Sequence, residues 1–161
     1  MSHLSNFSAE ELFALATQDF KREYFEGTLD KLKLLFIRNQ APLEAYSLMG
    51  RTYASIGLFD QAKQALSKFL EESPGAINET FQLGMIEKDL GNAEDAMQLW
   101  ESVLAKAPEF PPALYHSASQ LAETDQVQTA IERLNIILET AADEDSYVVL
   151  ADKLISKLSL Q

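Results

Sequence analysis

Side chains that commonly carry out chemistry are scarce in this sequence. Its two histidines are His3, beside the amino terminus, and His116, which stands alone in a stretch of helical pattern. No second histidine lies at the spacing of a metal site. Because a lone helical histidine is more often a surface or packing residue than a general base, we interpret His116 in that way. The chain contains no Cys, which excludes thiol catalysis, disulfides and thiolate metal sites.

The acidic residues and the glycines do not form a known type of site either. Asp143, Glu144 and Asp145 lack the alternating pattern of a calcium loop, so we interpret them as a solvated turn. The glycines occur singly rather than in a phosphate-binding loop. We therefore predict no catalytic residues, no metal, no cofactor and no enzymatic activity.

The net charge of −12 lies entirely in the second part of the chain. Residues 1–70 carry eight acidic and eight basic side chains, whereas residues 71–161 carry seventeen acidic and five basic ones. Such a surface repels phosphate groups and anionic lipids, so nucleic acid and membrane surfaces are not expected as partners. Two interpretations stay open: the charge keeps the protein soluble, or it steers a basic partner.

The amino-terminal segment lacks a basic stretch followed by an apolar one, and it carries Glu10, Glu11 and Asp19. No window of 18 residues is apolar and uncharged. We therefore expect a cytoplasmic protein with no secretory signal and no membrane-inserted helix.

Similar residues recur at intervals of 34 positions along the chain. The agreement joins Gly50 to Gly84, Gly57 to Gly91, Ala62 to Ala96, Leu66 to Trp100, Phe69 to Val103, and Pro74 to Pro108. The register continues in both directions, and small residues fill its first position four times: Ala16, Gly50, Gly84 and Ala118. Chance agreement at so many positions is improbable, so we predict four related units.

Each unit has the pattern of two helices. Apolar residues at helical spacing precede Gly57, which we expect to end the first helix in the left-handed conformation. A second helix is predicted to begin near Phe59 and to end before Pro74. We expect Gly50 and Ala62 to face each other where the helices cross, because only small side chains allow a close approach of the two backbones.

The pattern resembles the tetratricopeptide repeat, a helix–turn–helix unit of 34 residues. The second unit matches it with Tyr46, Met49, Gly50, Tyr53, Gly57, Phe59, Ala62, Leu66, Phe69 and Pro74, and the third with Leu83, Gly84, Gly91, Ala96, Trp100, Val103 and Pro108. The outer units depart from the family pattern, since Glu23 and Asp125 stand in the place of glycine, and Gln40 and Ala142 in that of proline. The resemblance implies an all-α fold, a right-handed superhelix of about four repeats followed by a C-terminal capping helix.

The predicted organisation has three parts. Residues 1–8 form a flexible N-terminus, residues 9–142 the repeat array, and residues 145–161 the capping helix. The individual repeats are placed at 9–42, 43–76, 77–110 and 111–144. In the capping helix, Asp145 or Ser146 is the expected N-cap, and the packing face is predicted to hold Tyr147, Leu150, Leu154 and Leu158. Val148 and Ile155 fall outside that face and would leave apolar surface for self-association.

The resemblance also implies a concave groove lined by the first helix of each repeat. The family's groove positions carried onto this chain give the candidate partner-binding residues Phe13, Thr17, Phe20, Ser47, Arg51, Phe81, Met85, Lys88, Tyr115 and Ser119. We hypothesise that the groove binds an apolar segment bearing a carboxylate, which Arg51 and Lys88 would pair. Alternatively, some of these side chains pack within the superhelix or against the first residues of the chain.

One group of tetratricopeptide repeat proteins clamps the acidic tails of large chaperones with Lys and Asn at defined groove positions. This sequence has Phe13, Thr17, Leu48, Asn78 and Gln82 there, so we do not expect that activity. The leading hypothesis is a protein-interaction scaffold with a protein or peptide partner. The alternatives are a dedicated chaperone for a secreted substrate and a homo-oligomeric assembly subunit, including a homodimer through the terminal helices.

Overall fold

The computed structural model describes residues 3–161, and this part of the chain is all-helical, with no strand. The α-helices are α1 (Ala9–Lys21), α2 (Phe25–Ile37), α3 (Glu44–Ser55), α4 (Phe59–Glu72), α5 (Ile77–Asp89), α6 (Ala93–Lys106), α7 (Pro111–Glu123), α8 (Val127–Thr140) and α9 (Ser146–Ser159). The chain divides into two compact units, an N-terminal unit up to Glu79 and a C-terminal unit from Thr80 onward. The predicted all-α fold is confirmed.

The same turn joins the two helices of each pair. Within the helix pairs, residues in the left-handed conformation occur at intervals of 34 positions: Glu23 with φ 60°, Gly57 with φ 79°, Gly91 with φ 88° and Asp125 with φ 61°. A further left-handed residue, Asn39 with φ 55°, follows α2. In each turn the next N–H donates to the carbonyl five residues earlier: Tyr24 to Asp19, Leu58 to Tyr53, Asn92 to Glu87, and Gln126 to Leu121, at 2.8–3.0 Å. This bond is characteristic of the Schellman motif that ends helices. The first and fourth helix pairs therefore keep the turn geometry of the inner pairs, although neither has glycine there.

Small side chains lie where paired helices cross, as predicted. Ala16, Gly50, Gly84 and Ala118 are buried on the first helices, and Thr28, Ala62, Ala96 and Ala130 are buried on the second. A Cβ added to Gly50 would lie 2.7 Å from Leu66 Cγ and 3.3 Å from the carbonyl oxygen of Ala62. The expected close approach of Gly50 and Ala62 is therefore confirmed.

The amino-terminal segment contacts α2. Residues 1–8 were predicted to be flexible; Met1 and Ser2 lie outside the described residues, and Leu4–Asn6 form a 3-10 helix. The Arg38 guanidinium donates to the carbonyls of Phe7 at 2.9 Å and Leu4 at 3.2 Å. Ser8 and Glu11 then form a capping box that starts α1. The flexibility of this segment stays a prediction.

The C-terminal helix α9 packs against α8 and α7, but the predicted packing face was partly wrong. Asp145 is the N-cap, and its side chain accepts a hydrogen bond from the N–H of Tyr147. The fully buried Ala151 lies at the centre of the packing face, although the predicted face did not include it. Val148 and Ile155 consequently join the core of the C-terminal unit, whereas Leu150 is exposed.

None of the helices among residues 3–161 is long and apolar enough to cross a membrane.

Candidate functional site

An apolar hollow lies between α1 and the start of α3 in the N-terminal unit. Its volume is about 760 Å³, within the roughly 300–1,000 Å³ of ligand-binding clefts. The lining residues are Ala9, Glu10, Phe13, Ala14, Thr17, Gln40, Ala41, Pro42 and Glu44. Two of the predicted partner-binding residues, Phe13 and Thr17, therefore lie in one concavity.

The hollow combines an apolar interior with two carboxylates. Phe13 is half-buried. The Thr17 hydroxyl donates a hydrogen bond to the Phe13 carbonyl at 2.9 Å, so its proton already has an acceptor within α1. Glu10 and Glu44 are exposed and lie in the first turns of α1 and α3, where the helix dipole favours negative charge. An apolar segment with a nearby cation matches this lining.

The segment that joins α2 to α3 supplies one wall of the hollow, and the sequence interpretation missed it. Gln40, Ala41 and Pro42 belong to this segment rather than to a first helix. The family's groove positions lie only on first helices, so they could not identify a loop wall. The sequence signal was Ala41-Pro42 shortly before α3, since a residue that precedes proline is disfavoured in the helical conformation.

A cationic position lies farther along the same two helices. The Arg51 guanidinium carbon sits 4.7 Å from the centre of the Phe20 ring, at the distance of a cation–π contact. Arg51 is exposed, whereas Phe20 is half-buried and also contacts Phe25. The ring holds the guanidinium over α1, and the charge stays available to an anionic group. We call the hollow together with Phe20 and Arg51 the α1–α3 surface.

Ser47 does not contribute a free group to that surface. Its side chain is buried, and its hydroxyl donates to Glu79 Oε1 at 3.0 Å. Ser47 therefore packs within the fold, as the alternative interpretation of the candidate residues allowed, and does not face a partner.

In the C-terminal unit, Phe81 is also buried, with 7% of its surface exposed. Its ring centre lies 5.8 Å from that of Phe110, 5.7 Å from that of His116 and 6.5 Å from that of Trp100. These rings cover Phe81, so we assign it to the core rather than to direct partner contact.

The other candidates of this unit are more accessible. Lys88 is exposed, and Met85, Tyr115 and Ser119 are half-buried. Tyr115 packs against His116 and Tyr147, with ring centres 5.2 and 5.6 Å apart. The C-terminal unit therefore presents one cation beside a partly apolar surface.

His116 is a packing residue within this aromatic cluster, as interpreted from the sequence. Burial and, to a lesser extent, the charge of Lys88 lower the pKa of His116 to about 4. Its Nε2 lies 3.4 Å from the Tyr147 hydroxyl. Burial, followed by the influence of Asp145 and Tyr115, raises the pKa of Tyr147. At neutral pH both groups are therefore uncharged, and they hold α9 against α7. Among residues 3–161, no three His, Asp or Glu side chains are placed to bind a metal ion.

Comparison with known families supports the repeat interpretation. Residues 43–75 and 81–109 each match the tetratricopeptide repeat family. No curated protein sequence matches the chain. The two family matches lie within the second and third predicted repeats and confirm the resemblance.

Several solved structures share the fold. The crystal structure of MamA matches with a TM-score of 0.72 at 15% identity, covering 93% of this chain and 81% of that chain. A tetratricopeptide repeat protein from Parabacteroides merdae gives a TM-score of 0.76 at 19% identity, and the match covers 94% of this chain and 60% of that chain. TTC0263, a thermophilic tetratricopeptide repeat protein of Thermus thermophilus, gives 0.74 at 19% identity, covering 96% and 82%. At these identities the likeness concerns the fold alone.

Proposed function

We propose that this chain, a tetratricopeptide repeat protein, is an interaction scaffold that binds a partner polypeptide through the α1–α3 surface. The observation that carries the proposal is the apolar hollow of about 760 Å³. A cavity of this size accepts several side chains of a docked segment. Helix-in-groove binding of an amphipathic segment is a common mode of recognition for such a surface.

The charges of the α1–α3 surface indicate what the bound segment carries. Glu44 and Arg51 are seven residues apart on α3, which corresponds to about 10 Å along the helix. A partner therefore needs a basic residue near Glu10 and Glu44 and a carboxylate near Arg51. Lys88 offers a second exposed cation in the C-terminal unit, in keeping with the hypothesis that a partner carboxylate is paired there.

The proposal is tested by filling the hollow without removing packing. Ala14 lines the hollow and is exposed, so Ala14→Arg adds a large side chain there and leaves the core intact. We expect the amount of partner captured from the native source, measured by quantitative mass spectrometry, to fall about tenfold or more. The matched control is Gln64→Arg, at an exposed position on α4.

Capture that is equal for the wild-type protein, Ala14→Arg and Gln64→Arg would show that the hollow is not the binding surface. Calorimetry with the identified partner then measures the effect of Arg51→Glu. If Arg51→Glu lowers the affinity for the partner and Lys33→Glu, at another exposed position, does not, the result supports a carboxylate at that end of the bound segment.

A further inference from the structure

The side of α9 that faces solvent is both apolar and cationic. Val149 is 54% exposed, Leu150 38% and Leu160 89%, and Lys153 and Lys157 are exposed between them. The opposite side of α9 is already packed on α7 and α8. The exposed side is therefore left open to solvent by its own unit, and it carries two of the five basic residues found between positions 80 and 161.

The two ends of this segment have opposite charge. Asp143 and Glu144 are exposed just before α9, and Asp145 caps it. Lys153 and Lys157 follow 8 and 12 residues after Asp145, which places them about 12 and 18 Å along the helix. The segment is thus acidic at its start and apolar in its first turn, and Lys153 and Lys157 follow, with the exposed carboxylate of Asp152 directly before Lys153.

The α1–α3 surface has the complementary order of charges. Glu10 and Glu44 line the hollow at the start of α1 and α3, the hollow extends along α1 to Thr17, and Arg51 lies over Phe20 near the end of α1. The distance from Glu10 to Phe20 is ten residues, or about 15 Å along the helix. An α9 segment laid antiparallel to α1 therefore meets an opposite charge at both of its ends.

We propose that α9 of a second copy of this chain docks in the hollow, antiparallel to α1. Lys153 and Lys157 then face Glu44 and Glu10, and the acidic start of α9 faces Arg51. Val149 and Leu150 contribute the apolar side chains that enter the hollow beside Thr17. The proposal rests on the α1–α3 surface being a binding surface, and it names the partner as a second copy.

This contact joins two different surfaces of the same protein. Every copy has one α1–α3 surface and one α9, so association produces either a reciprocal dimer or a head-to-tail chain. In both cases the average molecular mass measured in solution rises with protein concentration.

Charge reversal tests the pairing directly. One variant is Glu10→Lys/Glu44→Lys, and the other is Lys153→Glu/Lys157→Glu. In each variant alone, the docked surfaces carry like charges, so we expect self-association measured by sedimentation to weaken about tenfold or more. In an equimolar mixture, the hollow of each variant complements α9 of the other, so association returns.

The controls reverse charges at matched positions away from both surfaces. Glu94→Lys/Asp95→Lys changes two exposed carboxylates in the first turn of α6, and Lys33→Glu/Lys106→Glu changes two exposed lysines. Both controls are expected to associate as the wild-type protein does. Circular dichroism verifies that every variant remains folded.

Three results overturn the proposal: a wild-type protein that is monomeric over the whole concentration range, association unchanged by either reversal, or a mixture that fails to restore it. The Ala14→Arg capture experiment separates this failure from that of the proposed function. If Ala14→Arg still abolishes capture of another polypeptide, the α1–α3 surface binds that polypeptide and not a second copy. If it changes nothing, the surface itself is not a binding surface.

Discussion

At the scale of single residues, Trp100 occupies space that any side chain at position 84 would need. A Cβ added to Gly84 would overlap the indole Nε1, which is buried and has no hydrogen-bond partner among residues 3–161. The first and fourth helix pairs have alanine at the equivalent position, Ala16 and Ala118, and the buried Leu32 and Leu134 at the position of Trp100 in the 34-residue register. At position 84 the indole of Trp100 leaves no room for a Cβ, as Leu66 leaves little room for one at Gly50.

A double-mutant cycle measures this dependence. We expect Gly84→Ala alone to lower the free energy of unfolding by about 2 kcal/mol, because it overpacks the core. In the Trp100→Leu background, the same change is expected to cost at least about 1 kcal/mol less. Urea unfolding of the four proteins gives the coupling, and strictly additive effects would contradict the clash.

The imidazole of His116 makes stability depend on pH. Its pKa in the folded protein is about 4, below the ordinary value of 6.5, so folding favours the neutral form. The stabilisation is complete above pH 6.5 and is lost as the pH falls from 6.5 toward 4. The pKa difference corresponds to roughly 2 kcal/mol between pH 7.5 and 5, and partial exposure to solvent reduces our expectation to about 1 kcal/mol.

The comparison with His116→Gln isolates this contribution. Glutamine stays uncharged, so the variant should lose about 1 kcal/mol less than the wild-type protein between pH 7.5 and 5. All other ionisable groups are the same in the two proteins, so the comparison isolates the imidazole. Equal losses in chemical unfolding at the two pH values would assign the dependence to other groups.

At the scale of elements, the helix-ending turns at Glu23 and Asp125 carry a cost that the inner turns avoid. Both residues adopt positive φ, which costs a residue with a Cβ about 1–2 kcal/mol relative to glycine. Asp tolerates this conformation better than Glu does. We expect Glu23→Gly to raise the free energy of unfolding by about 1 kcal/mol, and Asp125→Gly by less.

Gly57→Ala is the reciprocal variant for these turns. No atom lies within 4 Å of a Cβ built there, so the conformation alone should make it destabilising, by about 1 kcal/mol. Thermal unfolding of all three variants checks the order. A Glu23→Gly protein less stable than the wild type would contradict the assignment of strain to that turn.

The helices themselves could be predicted because the register fixes where each one ends. Gly57, Phe59 and Pro74 marked the boundaries of the second pair, and those of the other pairs followed by subtraction or addition of multiples of 34. The orientation of α9 could not be predicted in the same way. Ala151 lies at the centre of the packing face. The prediction chose the larger Leu150 instead, because a bulky apolar side chain is the stronger signal of burial in a sequence.

At the scale of the whole molecule, the candidate site could be predicted only in part. Phe13 and Thr17 lie in the hollow because the family's groove positions are set by the helix itself. Phe81 occupies an equivalent position but is buried by Phe110 and His116. Such burial depends on residues about 30 positions away, and no local pattern records which rings will cover it.

The overall charge sets the conditions under which two copies can meet. Each copy carries a net charge of −12, so two copies repel each other over long distances. At physiological ionic strength, charges farther apart than about 8 Å are largely screened. Self-docking through α9 then depends on the facing patches alone, and it is best measured at that ionic strength.

The left-handed turn that recurs within all four helix pairs has a consequence for how the protein can change in length. Since each segment between two such turns begins and ends with the same backbone conformation, the segments are interchangeable cassettes. A second copy of residues 58–91 inserted after Gly91 would follow it with Leu58, which is the residue that already follows the turn glycine Gly57. A duplication of 34 codons would therefore lengthen the protein without requiring a new junction.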